Sequence, residues 1–159
     1  LTGHMVFSTL HTNDAPGAAT RLRDMGVPAF LITATLEAVL AQRLVRRICK
    51  ECREQTMPST ELLAQLDLTP DDVIGQKFWK GRGCPACNNT GFKGRTGLFE
   101  FMPITDEIRE IINKGGSTEK IRDAAMRTGM IPLRTSGLQK VYAGITTLEE
   151  VIRETVIEA

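Results

Sequence analysis

The feature that most constrains this chain is its cysteine spacing. Its four cysteines fall into two pairs of one form, Cys49-Lys50-Glu51-Cys52 and Cys84-Pro85-Ala86-Cys87, with residues 53–83 between them. Two residues between cysteines let a tight turn aim both sulfurs at one point. Two such turns supply four thiolates, the donor set of a closed tetrahedral Zn²⁺ site. Gly81, Gly83 and Pro85 surround the second pair and Asn88-Asn89-Thr90-Gly91 follows it, residues suited to tight turns. A redox dithiol needs one such pair in a strand-to-helix setting, not two. A disulfide framework would be shorter and denser in cysteine. The spacing therefore points to structural Zn²⁺ on Cys49, Cys52, Cys84 and Cys87, a metal that shapes the protein and leaves catalysis to other residues.

Composition bounds the remainder. The 159 residues are 42% hydrophobic and 25% charged, ordinary values for a globular chain long enough for one good core or two small ones. The formal net charge is +1. Four thiolates around one Zn²⁺ would bring it to about −1, since the thiolate is the binding form. Neither value shows the basic excess of a nucleic-acid binder. Thiols reserved for metal fit a reducing compartment, so a cytoplasmic location is expected. The most apolar window, residues 25–36, is only twelve residues long and contains Pro28, Thr33 and Thr35, whereas a bilayer span needs about twenty apolar residues. The opening Leu1-Thr2-Gly3-His4 has neither the basic leader nor the apolar core of a signal peptide.

Along the chain, residues 4–11 (His-Met-Val-Phe-Ser-Thr-Leu-His) read as a short buried strand. Asn13 or Asp14 can cap a helix with Pro16 in its first turn and Gly26 at its end. A second helix is expected from Pro28 through Leu36, Leu40, Leu44 and Ile48, its basic last turn (Arg43, Arg46, Arg47) complementing the helix dipole. Short helices are expected at 60–67 and 70–75 and a strand at 98–102. Four short helical pieces follow, marked by Ile108-Ile111-Ile112, Ile121-Ala124-Ala125, Leu133-Leu138-Val141 and Leu148-Val151-Ile152, with Thr146 and Glu149 as a capping box for the last. One strand and two helices before the cysteines do not make a self-contained sheet. Residues 1–48 therefore read as the trailing part of a larger α/β domain, 49–91 as a zinc-binding lobe, 92–104 as a returning strand and 105–159 as a helical C-terminal subdomain.

The only two histidines, His4 and His11, flank the first expected strand. Seven residues apart, they face opposite sides of it and are not two ligands of one metal. Ser8, Thr9, His11, Thr12, Asn13 and Asp14 gather at the strand's C-terminal end, where ligands of α/β sheets bind. Hydroxyls and imidazoles there can sense a phosphate.

The run Leu1-Thr2-Gly3-His4-Met5-Val6-Phe7-Ser8-Thr9-Leu10-His11-Thr12-Asn13-Asp14 resembles the histidine box of the secretion ATPases, the hexameric motors of type II secretion and type IV pilus assembly. The resemblance continues through Leu40-Ala41-Gln42-Arg43-Leu44-Val45-Arg46-Arg47, both cysteine pairs, Gly94-Arg95-Thr96-Gly97 and Gly144-Ile145-Thr146-Thr147-Leu148-Glu149-Glu150-Val151. It implies a mixed α/β fold: part of a RecA-like ATPase domain, an inserted tetracysteine zinc lobe and a helical C-terminal bundle. By the same resemblance His4, His11 and Arg95 belong to the catalytic machinery, and Thr9 and Arg43 contact the nucleotide. A guanidinium fork suits phosphate oxygens. ATP and Mg²⁺ are implied for the full-length enzyme, as are a homohexamer, an inner-membrane platform protein as partner and a peripheral position at that membrane.

No G-x-x-x-x-G-K-[ST] run occurs in these 159 residues, so the phosphate cradle and its lysine are missing and the chain alone is expected to be inactive. A non-catalytic, zinc-stabilised interaction module is the alternative reading. Cys84–Gly91 also resembles a DnaJ-type zinc repeat, but that arrangement needs four cysteine pairs.

Overall fold

The computed structural model describes residues 3–155 and is a mixed α/β fold. It divides into two compact units: residues 1–42 with 99–132, and residues 43–98 with 133–159. Two long strands, β1 (Ala38–Ile48) and β4 (Phe92–Pro103), contribute residues to both units and pair with each other. Ile104 N–H donates to the Glu37 carbonyl, and Cys49 N–H to the Gly91 carbonyl (both 2.9 Å). The partners recede along the chain as residue numbers rise, so the pair is antiparallel.

In the first unit, α1 (Ala15–Asp24) begins at Asp14, whose Oδ1 accepts from Gly17 N–H at 2.9 Å, with Pro16 in the first turn. Asp14 also forms an ion pair with Arg122. The helix ends at Gly26, where φ is +87°. Gly26 N–H bonds the Arg23 carbonyl and Val27 N–H the Leu22 carbonyl, the paired closure that a left-handed residue permits. α2 (Ala29–Thr35), α4 (Asp106–Asn113) and α5 (Thr118–Arg127) complete this unit's helices, with Thr105 capping α4 and Ser117 capping α5. Its core joins Ala15, Ala19, Ile32, Met102, Ile104, Ile108, Ile112, Ile121 and Ala124. Glu100, buried on β4, accepts Ala15 N–H at 2.7 Å, placing a carboxylate at the positive end of α1.

In the second unit, β2 (Arg53–Thr56) and β3 (Phe78–Gly81) run antiparallel with Arg53 opposite Gly81 and Thr56 opposite Phe78. Between them lie α3 (Thr60–Ala64), capped by Ser59, and a 3₁₀ turn at Asp71–Val73. α6 (Leu133–Tyr142) and α7 (Leu148–Thr155) pack on this insertion. Leu63, Leu66, Val73 and Phe78 share one core with Val141, Leu148 and Val151. Phe78 meets Tyr142 edge to face at 5.8 Å between centroids. A Cβ at Gly137 would lie 2.6 Å from Val151 Cγ1, so glycine allows α6 and α7 to pack this closely.

Several expectations change. Residues 4–11 form no strand. Neither described sheet offers them a partner, and their apolar side chains stand in solvent, with Phe7 91% exposed. The expected helix from Pro28 to Ile48 stops at Thr35, and residues 38–48 are β1. Burial there has the period of two of a strand: Val39, Ala41, Arg43 and Val45 are more buried than Leu40, Gln42 and Leu44. Arg43, Arg46 and Arg47 therefore do not complement a helix end. Finally, Thr147 rather than Thr146 caps α7, accepting Glu150 N–H at 3.4 Å, while Thr146 donates to the Arg46 carbonyl at 2.8 Å. The helix expected at 60–67 is the shorter α3, the one expected at 70–75 is the 3₁₀ turn Asp71–Val73, and the strand expected at 98–102 lies inside the longer β4.

Candidate metal centre

The β2–β3 ladder starts directly after Cys52 and closes just before Cys84, so it carries the two cysteine turns to one place. Arg82 N–H bonds the Cys52 carbonyl at 3.0 Å, and Cys49 N–H bonds the Gly91 carbonyl. Gly81 and Gly91 make this crossing possible. A Cβ on Gly81 would run into the Gly91 carbonyl, and one on Gly91, where φ is +77°, would lie 2.5 Å from the Gly81 oxygen. After the 3₁₀ turn Pro85–Cys87, Asn88 and Asn89 both take left-handed backbone (φ 52° and 59°), which asparagine tolerates better than most residues.

All four sulfurs lie within 4.8 Å of one another. Cys49 Sγ is 3.9 Å from Cys84 Sγ, Cys52 Sγ is 3.9 Å from Cys87 Sγ, and Cys84 Sγ is 3.7 Å from Cys87 Sγ. A tetrahedron with metal–sulfur bonds of about 2.3 Å has edges of about 3.8 Å. The cluster thus has the dimensions of a zinc tetrathiolate, and these four cysteines can hold one zinc ion. Cys49, Cys52 and Cys87 are buried and Cys84 is half-buried.

Backbone donors are aimed at the sulfurs. Gly83 N–H reaches Cys52 Sγ at 3.3 Å, Cys84 N–H reaches Cys87 Sγ at 3.3 Å, and Gly91 N–H reaches Cys87 Sγ at 3.2 Å. Donors of this kind favour the thiolate. Burial pushes the Cys52 thiol up to about 11, partly opposed by the Gly83 N–H. Burial acts upward on Cys87 too, but the N–H groups of Cys84 and Gly91 outweigh it and bring that thiol down to about 6. A divalent cation would draw all four into the thiolate form. Four protein sulfurs leave no open position on a tetrahedral ion, so the site suits a structural role.

The other candidate residues are not gathered in this way. His4, Thr9 and His11 are exposed in the irregular segment before α1, in the first unit. Arg43, half-buried on β1, and Arg95, exposed on β4, belong to the second unit. Beside the cysteine turns, the Arg53 guanidinium sits 4.5 Å above the Trp79 ring and donates to the Gly144 carbonyl at 3.3 Å.

Sequence reasoning passed over Glu150. The residue is 1% exposed, and its carboxylate accepts from Arg46 N–H (2.9 Å), Arg46 Nε (3.0 Å), Arg46 Nη2 (2.6 Å) and Arg153 Nη2 (2.8 Å). The Arg46 guanidinium also lies 4.2 Å over the Phe92 ring. The signal available was Thr147 three residues before Glu150, a capping pattern one step along from the pair Thr146–Glu149.

The model of the type II/IV secretion system protein family matches residues 1–153. The type IV pilus assembly ATPase PilB of Thermus thermophilus is 49% identical over 156 residues, which are 98% of this chain and 18% of that protein. The type II secretion system protein E of Aeromonas hydrophila is 47% identical over 158 residues, 98% of this chain and 30% of that protein. The PilB of Myxococcus xanthus is 44% identical over 156 residues, 98% of this chain and 28% of that protein. The chain thus spans less than a third of the length of these relatives. With the family model matching nearly every residue and the tetracysteine cluster formed, the chain belongs to the type II/IV secretion system protein family.

Proposed function

We propose that this chain is the C-terminal part of a motor ATPase that couples ATP hydrolysis to the assembly of pilin or pseudopilin subunits at the inner membrane. The carrying observation is its 40–49% identity, across almost its whole length, to proteins named for pilus assembly or type II secretion. In this reading the motor is a cytoplasmic homohexamer with no nucleic-acid partner. It lies peripherally at the inner membrane through a platform protein. Among the described residues no helix is long and apolar enough to cross a membrane.

Residues 1–48 are then the trailing part of a RecA-like domain, 49–91 its zinc lobe, 92–104 a returning strand and 105–159 a helical subdomain. Cys49, Cys52, Cys84 and Cys87 hold one Zn²⁺, which supplies a rigid cross-link between the two turns and no open coordination position. In this reading Mg²⁺ and the ATP phosphates are held chiefly by the family's P-loop, a run that these 159 residues do not contain. Here His4, Thr9, His11 and Arg43 act as phosphate-sensing contacts. Arg95 reaches a neighbouring subunit or its nucleotide; its exposed side chain supports this role.

A non-catalytic interaction module is the second reading. In that reading the exposed Met57 and Ile74 of the insertion (81% and 76%) are candidate contacts for a partner. Steady-state ATP hydrolysis tests the two. The 159-residue chain should show no turnover with Mg²⁺-ATP, and a full-length protein that contains it should. A full-length protein without Mg²⁺-dependent turnover would leave only the module reading.

A further inference from the structure

A recess of about 300 Å³ opens beside the cysteine cluster, lined by Arg47, Ile48, Cys49, Lys50, Glu51 and Lys93. Three of the six are cations and one is an acid. Arg47, Lys50 and Lys93 are exposed, and no ion pair engages them among the described residues.

The strands explain how these charges come together. Arg46 and Phe92 share one face, the guanidinium over the ring, and Arg46 is committed to Glu150. Side chains alternate along a strand, so Arg47 and Lys93, each one residue further on, project from the opposite face. The bond from Cys49 N–H to the Gly91 carbonyl sets residue 49 beside 91. Two steps along each antiparallel strand bring Arg47 beside Lys93. Like charges facing each other across a strand pair are destabilising. The fold supplies a buried carboxylate for Arg46 but only the exposed Glu51 for three cations on the other side.

We propose that this recess is an anion site that takes a phosphate-bearing ligand, with the Arg47 fork on two phosphate oxygens and Lys50 and Lys93 as point charges. The same chemistry is offered by a free polyphosphate and by a phospholipid headgroup. Of the four cysteines, Cys49 alone lines the recess.

The test uses the zinc-loaded chain. Pyrophosphate titrated into ¹⁵N-labelled protein should give saturable amide shifts confined to residues 47–51 and 91–94, weakening as NaCl is added. Arg47→Gln with Lys93→Gln should lower the affinity at least tenfold at unchanged zinc content. Lys50→Gln, on the exposed first cysteine turn, should lower it several-fold and serves if the double variant fails to fold. A second arm sediments the protein with phosphatidylglycerol–phosphatidylcholine vesicles. Pyrophosphate binding assigns the site to free polyphosphate; vesicle binding alone, with the same dependence on the variants, assigns it to a headgroup. The proposal is overturned if neither probe binds or if the variants bind as well as the parent. It also fails if only poly-glutamate shifts these amides, or if the variants lose zinc while the parent binds no anion, since the cations would then serve only the cysteine cluster. Zinc content is read separately, so failure here is distinct from failure of the metal assignment.

Discussion

Glu150 on α7 receives Arg46 of β1 three times, through the backbone N–H and two guanidinium nitrogens, at 2.6–3.0 Å. The Thr146 hydroxyl bonds the Arg46 carbonyl in return, and Ile48 N–H bonds the Ile145 carbonyl at 2.8 Å. Residues 145–150 thus fasten β1 just before the first cysteine turn. Removing one partner of a buried, hydrogen-bonded charge leaves the others without compensation. Arg46 is half exposed, so the upper end of the usual range does not apply. Glu150→Ala should cost about 2 kcal/mol in urea unfolding, and Arg153→Ala, at the solvent edge, less than about 0.5 kcal/mol.

The same carboxylate gives a pH dependence. Burial disfavours its charged form, but hydrogen bonds from Arg46 and the charge of Arg153 outweigh that and hold Glu150 below the usual carboxylate range. A depressed folded-state value means the stability is present above the unfolded value of about 4.3 and is lost as pH falls through the folded one. The melting temperature should drop as pH goes from about 5 to about 3, and Glu150→Gln should make that drop shallower. An identical slope in the variant would assign the acid sensitivity to other carboxylates, such as Asp72 held down by Thr69.

Gly81→Ala tests the crossing beneath the cysteine turns. The added methyl meets the backbone carbonyl of Gly91, which cannot rotate away as a side chain would. We expect a loss of more than about 3 kcal/mol, or no folded second unit, with reduced zinc uptake although every cysteine is intact. Circular dichroism melting alongside metal analysis reads both effects.

Arg95 is exposed, so Arg95→Ala should change stability by less than about 0.5 kcal/mol. In a full-length protein it should lower ATP turnover several-fold or more if it meets a neighbour's nucleotide, short of the roughly 10³–10⁵ of a full arginine finger if it mainly orders an interface. His11→Ala, also exposed, should behave alike. Turnover that falls only in step with the melting temperature would make both residues structural.

The metal centre was legible because two turns of fixed spacing determine where four sulfurs point, whatever surrounds them. The Asp14 cap was legible for a similar reason: one side chain satisfies a local N–H. β1 was not, because Leu40, Leu44 and Ile48 repeat every four residues, a spacing that is even and so also lies on one side of a strand. Pairing with β4 decided between the two, and that partner lies some fifty residues away. Residues 4–11 have strand composition without a strand partner. Glu150 escaped notice because its value comes from Arg46, on a different element.

With zinc held by Cys49, Cys52, Cys84 and Cys87, the second unit should depend on the metal. The insertion shares its core with α6 and α7, so losing the metal should loosen these helices as well as the cysteine turns. The direct measurement is elemental analysis of the purified, reduced chain together with hydrogen exchange before and after chelation. One zinc per chain, with lost protection across the cysteine turns, α6 and α7, and Cys84→Ser reproducing the chelated state, is the predicted result. A metal-free protein whose exchange does not respond to chelator would contradict it.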